Sequence, residues 1–279
     1  MRSLITFVRR SPAGTLGLVI VSLLLGIAAF APVVAPYPYG ATDVPNRLAG
    51  PSLDHLFGTD ALGRDVFSRV VYGARVSMFV GVGAMIISIS VGTFVGLASG
   101  YYRGLLDLVV QRLVDVWIAF PGLVIAITMV VVLSAGLVTV AVVLGLIMVS
   151  STIRVVRGAV FTTREEQYVL AARSVGASDA RIMVQHILPN ILPTVIVLAT
   201  LQMGAAILAE TSLSFLGFGV PPPHPSWGAM LNRSARSQML DAPLLSIWPG
   251  LAITLAVFGF NILGDALRDV LDPRLRGSR

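Results

Sequence analysis

The run VWIAFPGLVIAITMVVVLSAGLVTVAVVLGLIMVSSTI, from Val116 to Ile153, carries no charged side chain, and reading it decides the fold. A helix needs about 20 mostly apolar residues to cross a hydrocarbon core of about 30 Å at about 1.5 Å per residue. The run is too long for one crossing, even a tilted one, and Ser134-Ala135-Gly136 offers a tight turn near its middle, so it divides into two spans. Working outward, Gly14 to Ala35, Val76 to Ser99 and Ala242 to Gly264 are also uncharged and each stands between charged flanks. A further span starts near Ile187 and runs beyond Glu210. Pro221-Pro222-Pro223 has to lie outside any helix. The expected fold is all-α, a polytopic membrane protein with six transmembrane helices.

Composition agrees and removes several chemistries. Of 279 residues, 56% are hydrophobic and 12% charged, against about 25% charged in soluble domains. Such a surface needs lipid. The chain has no cysteine, hence no disulfide, thiolate nucleophile or cysteine metal site. It also has no lysine, which excludes a phosphate-binding P-loop and Schiff-base catalysis; any ATP has to be hydrolysed by another subunit. His55, His186 and His224 are scattered, so no metal is expected. The net charge of +6 comes from arginines spread between spans, not from one basic face, and nucleic acid is not an expected partner.

Those arginines orient the chain. With six spans both termini share a side, and if that side is cytoplasmic only Arg47, Arg64, Arg69, Arg75, Arg233 and Arg236 face outward while the other fourteen face inward. Both termini are therefore expected inside. Arg2, Arg9 and Arg10 before the first span, with Ala29-Phe30-Ala31 after it, also fit a signal peptide, but the apolar stretch is longer than the roughly 7–15 residues of a signal core. An uncleaved anchor is expected. Two external segments result, Pro36 to Arg75 and Pro221 to Asp241, together with one long internal segment, Arg154 to His186.

Within the internal segment, Glu165 to Arg173 reads as a short amphipathic helix with Tyr168, Ala171 and Ala172 on one face. Gly176 permits a left-handed turn, Ser178 can cap a second short helix, and Pro189 marks the return to the membrane. Small residues there would let another surface approach the backbone. From the residues alone, a docking element and an ordinary solvated loop helix are equally good readings.

Tyr168-Val169-Leu170-Ala171-Ala172-Arg173, Gly176-Ala177-Ser178-Asp179 and His186-Ile187-Leu188-Pro189-Asn190 resemble the cytoplasmic EAA loop of binding-protein-dependent ABC importers. The glutamate that usually opens that motif is Leu170 here. His55-Leu56-Phe57-Gly58-Thr59-Asp60, Gly63-Arg64-Asp65 and Leu213-Ser214-Phe215-Leu216-Gly217-Phe218-Gly219 are similar to segments of the C-type permease subunit of the peptide and nickel branch. So are Pro225-Ser226-Trp227-Gly228 and the tail Asp265 to Arg274.

The resemblance implies a type I ABC importer transmembrane domain that builds half of a passage through the cytoplasmic membrane. A related second permease would complete the passage, two ATPase subunits would dock inside, and a substrate-binding protein would deliver cargo outside. Small peptides are the implied cargo, with nickel or another ligand of the branch as the alternative. The chain itself is expected to be non-catalytic and to hold no cofactor, ATP being bound by the partners. The implied ATPase-coupling loop comprises Tyr168, Leu170, Ala171, Ala172, Gly176, Asp179, Leu188 and Pro189. The implied organisation is 1–75 for the N-terminal tail, first helix and external segment, 76–268 for the permease core with a coupling loop at about 160–188, and 269–279 for a cytoplasmic tail.

Glu210 has two readings, as a group on the passage or as one bonded to a neighbouring helix. Asp115, Arg112, Asp265 and Arg268 are expected to form an ion-pair cluster, Pro121 and Pro249 to kink their helices, and the glycines at 81–83 and 92–96 to permit close helix packing. A self-contained ion-driven transporter would need ionisable residues inside the spans, which are nearly bare apart from Glu210. An intramembrane enzyme would need a catalytic set that the sequence does not offer.

Overall fold

A computed structural model describes residues 11–237 and 242–271. The regular elements among them are helical, apart from one isolated bridge between Thr59 and Asp65. Helix α1 covers Pro12–Ala29; Ser11 caps it, accepting a hydrogen bond from the Gly14 amide, and Pro12 opens the first turn. Helix α2, Val66–Tyr102, is 37 residues long, about 55 Å at 1.5 Å per residue and far longer than the membrane core requires. It begins ten residues before the expected span because the Asp65 carboxylate caps it, accepting from the Ser68 amide at 2.7 Å. Arg69 and Arg75, placed in an external segment by the sequence, are thus helical.

The third crossing is broken. Helices α3, Gly104–Ala119, and α4, Gly122–Leu133, meet at 88°. The sequence predicts only a kink at Pro121, but proline supplies no amide hydrogen and pushes the preceding residue out of helical geometry; Phe120 is extended, with φ −91° and ψ 140°. At 12 residues, about 18 Å, α4 is too short to cross alone. Ser134, with φ +68°, makes the expected turn into α5, Leu137–Arg164. A short helix α6, Gln167–Ser174, precedes α7, Asp179–Phe215.

The α-helical span begins at Leu188 with Pro189 in its first turn, as the sequence implies, but the short helix before it is continuous with it, so that α7 runs unbroken out of the loop. Its segment Ile182–Ile187 is wound as a π-helix, and Leu188 N–H reaches back five residues to the Met183 carbonyl, which leaves room for a proline next in sequence. Helices α8, Trp227–Ser237, and α9, Leu244–Leu271, complete the described chain, with Pro249 inside α9. Five of these helices are long and apolar enough to cross a membrane, and the broken α3–α4 pair makes a sixth crossing. The anticipated boundary at 75/76 falls inside α2 and that at 268/269 inside α9.

Helix α2 is the centre of the bundle and its most extensive partner is α5. Gly92, Gly96 and Gly100 lie four apart on α2 and face Thr152, Val156 and Val160 of α5; a Cβ on Gly96 would sit 2.9 Å from the Ile153 carbonyl oxygen. Reciprocally, Gly145 of α5 faces Ile87, whose Cβ would lie 2.8 Å from a Cβ added there. In lipid, where burial of apolar groups drives little association, such seams let two backbones approach and gain dispersion contact. Small residues also join α1 to α9 through Gly17 and Gly259.

Candidate functional site

The two ends of the bundle differ. At the cap end, the segment before α2 folds over the helix start. Arg69, only 4% exposed, donates to the Tyr39 carbonyl and lies 3.7 Å from Asp60, which also pairs with Arg64 at 2.6 Å. His55 Nδ1 meets the capping Asp65 at 2.9 Å, and Trp227 Nε1 donates to the Val70 carbonyl at 3.0 Å.

The loop end holds the residues that the sequence singles out. Helix α6 turns Val169 and Ala172 inward, onto a cluster with Leu97, Tyr101, Val156, Val160, Ile182 and Ile187. Tyr168, Leu170, Ala171 and Val175 point away, Val175 being 84% exposed. Ala172 therefore faces its own chain and not outward with Ala171. Gly176, at φ +81° and with open space around it, makes the left-handed turn, and Ser178 accepts from the Arg181 amide to cap α7. Leu188 is half-buried on the same cluster and Pro189 is exposed.

Polar groups then fasten this loop to the bundle. The Tyr101 carbonyl at the end of α2 accepts from Arg164, its ring faces the Arg164 and Arg173 guanidinium groups, and its hydroxyl donates to Asp179 Oδ1 at 2.6 Å while accepting from Arg173 at 3.3 Å. The bond to Tyr101 raises the Arg173 guanidinium above its already high range, so this cation is permanent. Arg157 grips Asp107 with two hydrogen bonds of 2.5 and 2.6 Å, and Ser99 donates to the same carboxylate. Arg103 pairs with Glu165. Asp115 pairs with Arg154 at 2.6 Å and Arg112 at 3.8 Å, but the expected cluster stops there: Asp265 and Arg268 form no ion pair among the described residues. Arg268 instead lines a cleft of about 460 Å³ with Val155, Asn190, Thr194 and Leu201.

The sequence does not point to Tyr101, Asp107 or Arg157 as a set. The available signal is three polar residues interrupting otherwise apolar helix ends, and only the packing of α2 and α3 on α5 brings them together. Glu210 is 0% exposed within this chain, accepts from Ser214 at 2.7 Å and Ser77 at 3.2 Å, and is also reached by Ser226. Its carboxylate thus bonds α7 to the start of α2 and to the segment before α8. A second polar knot joins Ser88, Thr152 and Gln202 across α2, α5 and α7. Among the described residues no group of three metal-ligating side chains occurs. What the site offers is rigid mechanical connection between a surface loop and two spans.

Comparison with known proteins adds to this geometry. Residues 92–277 match the family described as the binding-protein-dependent transport system inner membrane component, and residues 7–51 match the N-terminal TM domain of oligopeptide transport permease C. The chain is 44% identical over 272 residues to the glutathione transport system permease protein GsiD of Escherichia coli and of Shigella boydii, covering 97% of this chain and 89% of each relative. It is 42% identical over 268 residues to the dipeptide transport system permease protein DppC of Alkalihalophilus pseudofirmus, covering 96% of this chain and 88% of that one.

Proposed function

Because this chain belongs to the family of binding-protein-dependent transport system inner membrane components, we propose that its cargo is short peptides and that it forms half of their passage across the cytoplasmic membrane. It is a multi-pass permease subunit of an ABC importer, in a family of non-catalytic membrane components. The observation that carries the cargo assignment is identity of 42–44% along nearly the whole chain with permeases named for glutathione and for dipeptides, both short peptides. A second, related permease completes the passage. Two ATPase subunits bind the ATP that this lysine-free chain cannot, and an external binding protein presents the cargo.

The loop from Tyr168 to Pro189 is the docking element for an ATPase subunit. Its support is geometric: α6 is held from behind by its own chain and presents Tyr168, Leu170, Ala171 and Val175 outward. With the arginine-rich loop end inside the cell, both termini are cytoplasmic. Cells lacking the chain should lose accumulation of radiolabelled dialanine or glutathione while nickel accumulation stays unchanged. Loss of nickel uptake with peptide uptake intact would reassign the cargo.

A further inference from the structure

Contacts between the inner loop and the rest of the bundle are of two physical kinds. Val169, Ala172 and Ile182 pack on Leu97, Val156 and Val160, and such apolar contact, being non-directional, fixes register less sharply than a hydrogen bond does. The polar contacts have direction. Of these, Arg103 and Glu165 are 41% and 58% exposed, and an exposed pair holds little. Tyr101 is different: it is 3% exposed and lies at the last turn of α2, where one residue meets three others from three further elements. Its carbonyl takes Arg164 from the end of α5; its hydroxyl takes Arg173 from α6 and gives its proton to Asp179, the first residue of α7. A buried hydroxyl between a cation and a carboxylate has both its donor and acceptor capacity used, in a charge-assisted bond of 2.6 Å. Asp179 is favourably placed as well, since a carboxylate at a helix N-terminus meets the positive end of the helix dipole.

We propose that Tyr101 is a positioning residue for energy coupling: its hydroxyl bond to Asp179 fixes the register of the docking loop against α2, so that displacement of the loop moves α2 and α7 together. The inference rests on the loop being the ATPase docking element. Without the bond, the α6–α7 corner keeps its apolar seat but can shift over it, and motion delivered by the motor is partly spent in that shift.

The test uses the assembled importer in proteoliposomes, with whichever of dialanine and glutathione the unmodified assembly accumulates as the transported probe. Tyr101→Phe keeps the ring, its burial and its cation stacking, and deletes only the hydroxyl. The native chain lacks cysteine, so Val175→Cys and Leu105→Cys, at exposed positions, provide one cross-linking site on the loop and a pair for spin-label distances.

Tyr101→Phe should retain assembly and the Val175→Cys cross-link to an ATPase subunit with at most a small fall in thermal midpoint, while peptide moved per ATP falls roughly three- to tenfold, the range that one hydrogen bond carries in an equilibrium, and the 105–175 distance distribution broadens. Asp179→Ala should do the same, the double variant should be no worse than the poorer single one, and Asp179→Asn, which keeps an accepting oxygen, should restore most of the coupling. Unchanged peptide per ATP with the cross-link present overturns the positioning role and leaves the docking reading standing. A lowered thermal midpoint with unchanged peptide per ATP reduces Tyr101 to packing and also overturns it. Absence of the cross-link in a chain that still carries Tyr101 overturns the docking reading, and the positioning role with it.

Discussion

Removing the Glu210 carboxylate would take this acceptor from the buried hydroxyls of Ser77, Ser214 and Ser226. Each hydroxyl left unpaired costs about 1–3 kcal/mol. Glu210→Ala should therefore lower the thermal midpoint of the purified subunit clearly, and Glu210→Gln, which keeps an accepting oxygen, much less; equal midpoints would show that the three serines find other partners. Helix α6 gives a second residue-scale contrast. Ala172→Glu buries a charge against Val156 and Ile182 and should reduce the amount of folded protein, whereas Ala171→Glu, on the outer face, should leave the amount unchanged and lower peptide-stimulated ATP hydrolysis in the assembled importer. Gly176 and Ser178 were legible in the sequence because a left-handed turn and a helix cap have local signatures. The inward direction of Ala172 was not, because two adjacent alanines carry no pattern that tells one face of a short helix from the other.

Among elements, the α2–α5 pair is held by its glycine seam, and α3 is tied to α5 by Arg157 gripping Asp107. The two side chains are 28% and 13% exposed, enough shielding for the pair to matter and too much for either charge to be left alone cheaply. Asp107→Ala is expected to lower stability by about 1–3 kcal/mol, read as a reduced midpoint in thermal unfolding, and Asp107→Arg combined with Arg157→Asp to recover part of it. If the reversed pair is no better than Asp107→Ala alone, the attraction between these two groups is not what joins the helices. The glycine spacing announced a close helix contact in advance. It did not announce the partner helix, and the break at Pro121 exceeded a kink because helix geometry on both sides of a proline depends on what each half packs against: α4 on α5, and α3 on α2 and α5.

For the whole molecule, the number and order of crossings could be read from apolar runs because a bilayer imposes one length on every span. The extents of α2 and α7 could not, since both continue beyond the apolar stretch into polar sequence that only tertiary contacts make helical. In a cell membrane, Val175→Cys should react with a membrane-impermeant thiol reagent from the cytoplasmic side only, and Leu53→Cys, 98% exposed in the cap, from the outside only. The opposite labelling would invert the assigned orientation. The length of α2 has a mechanical consequence. One stiff rod runs from the Asp65 cap at one mouth to Tyr101 at the other, pressed on α5 through Gly92, Gly96 and Gly100 in its last third, so it has the form of a lever with unequal arms pivoting on that seam. Ile86→Pro, at an exposed position on that rod, would insert a joint by deleting a backbone hydrogen bond. The altered subunit should still grip its motor, as read by the Val175→Cys cross-link, and burn ATP without hauling cargo; undiminished uptake would mean that the two mouths are geared together through some other helix.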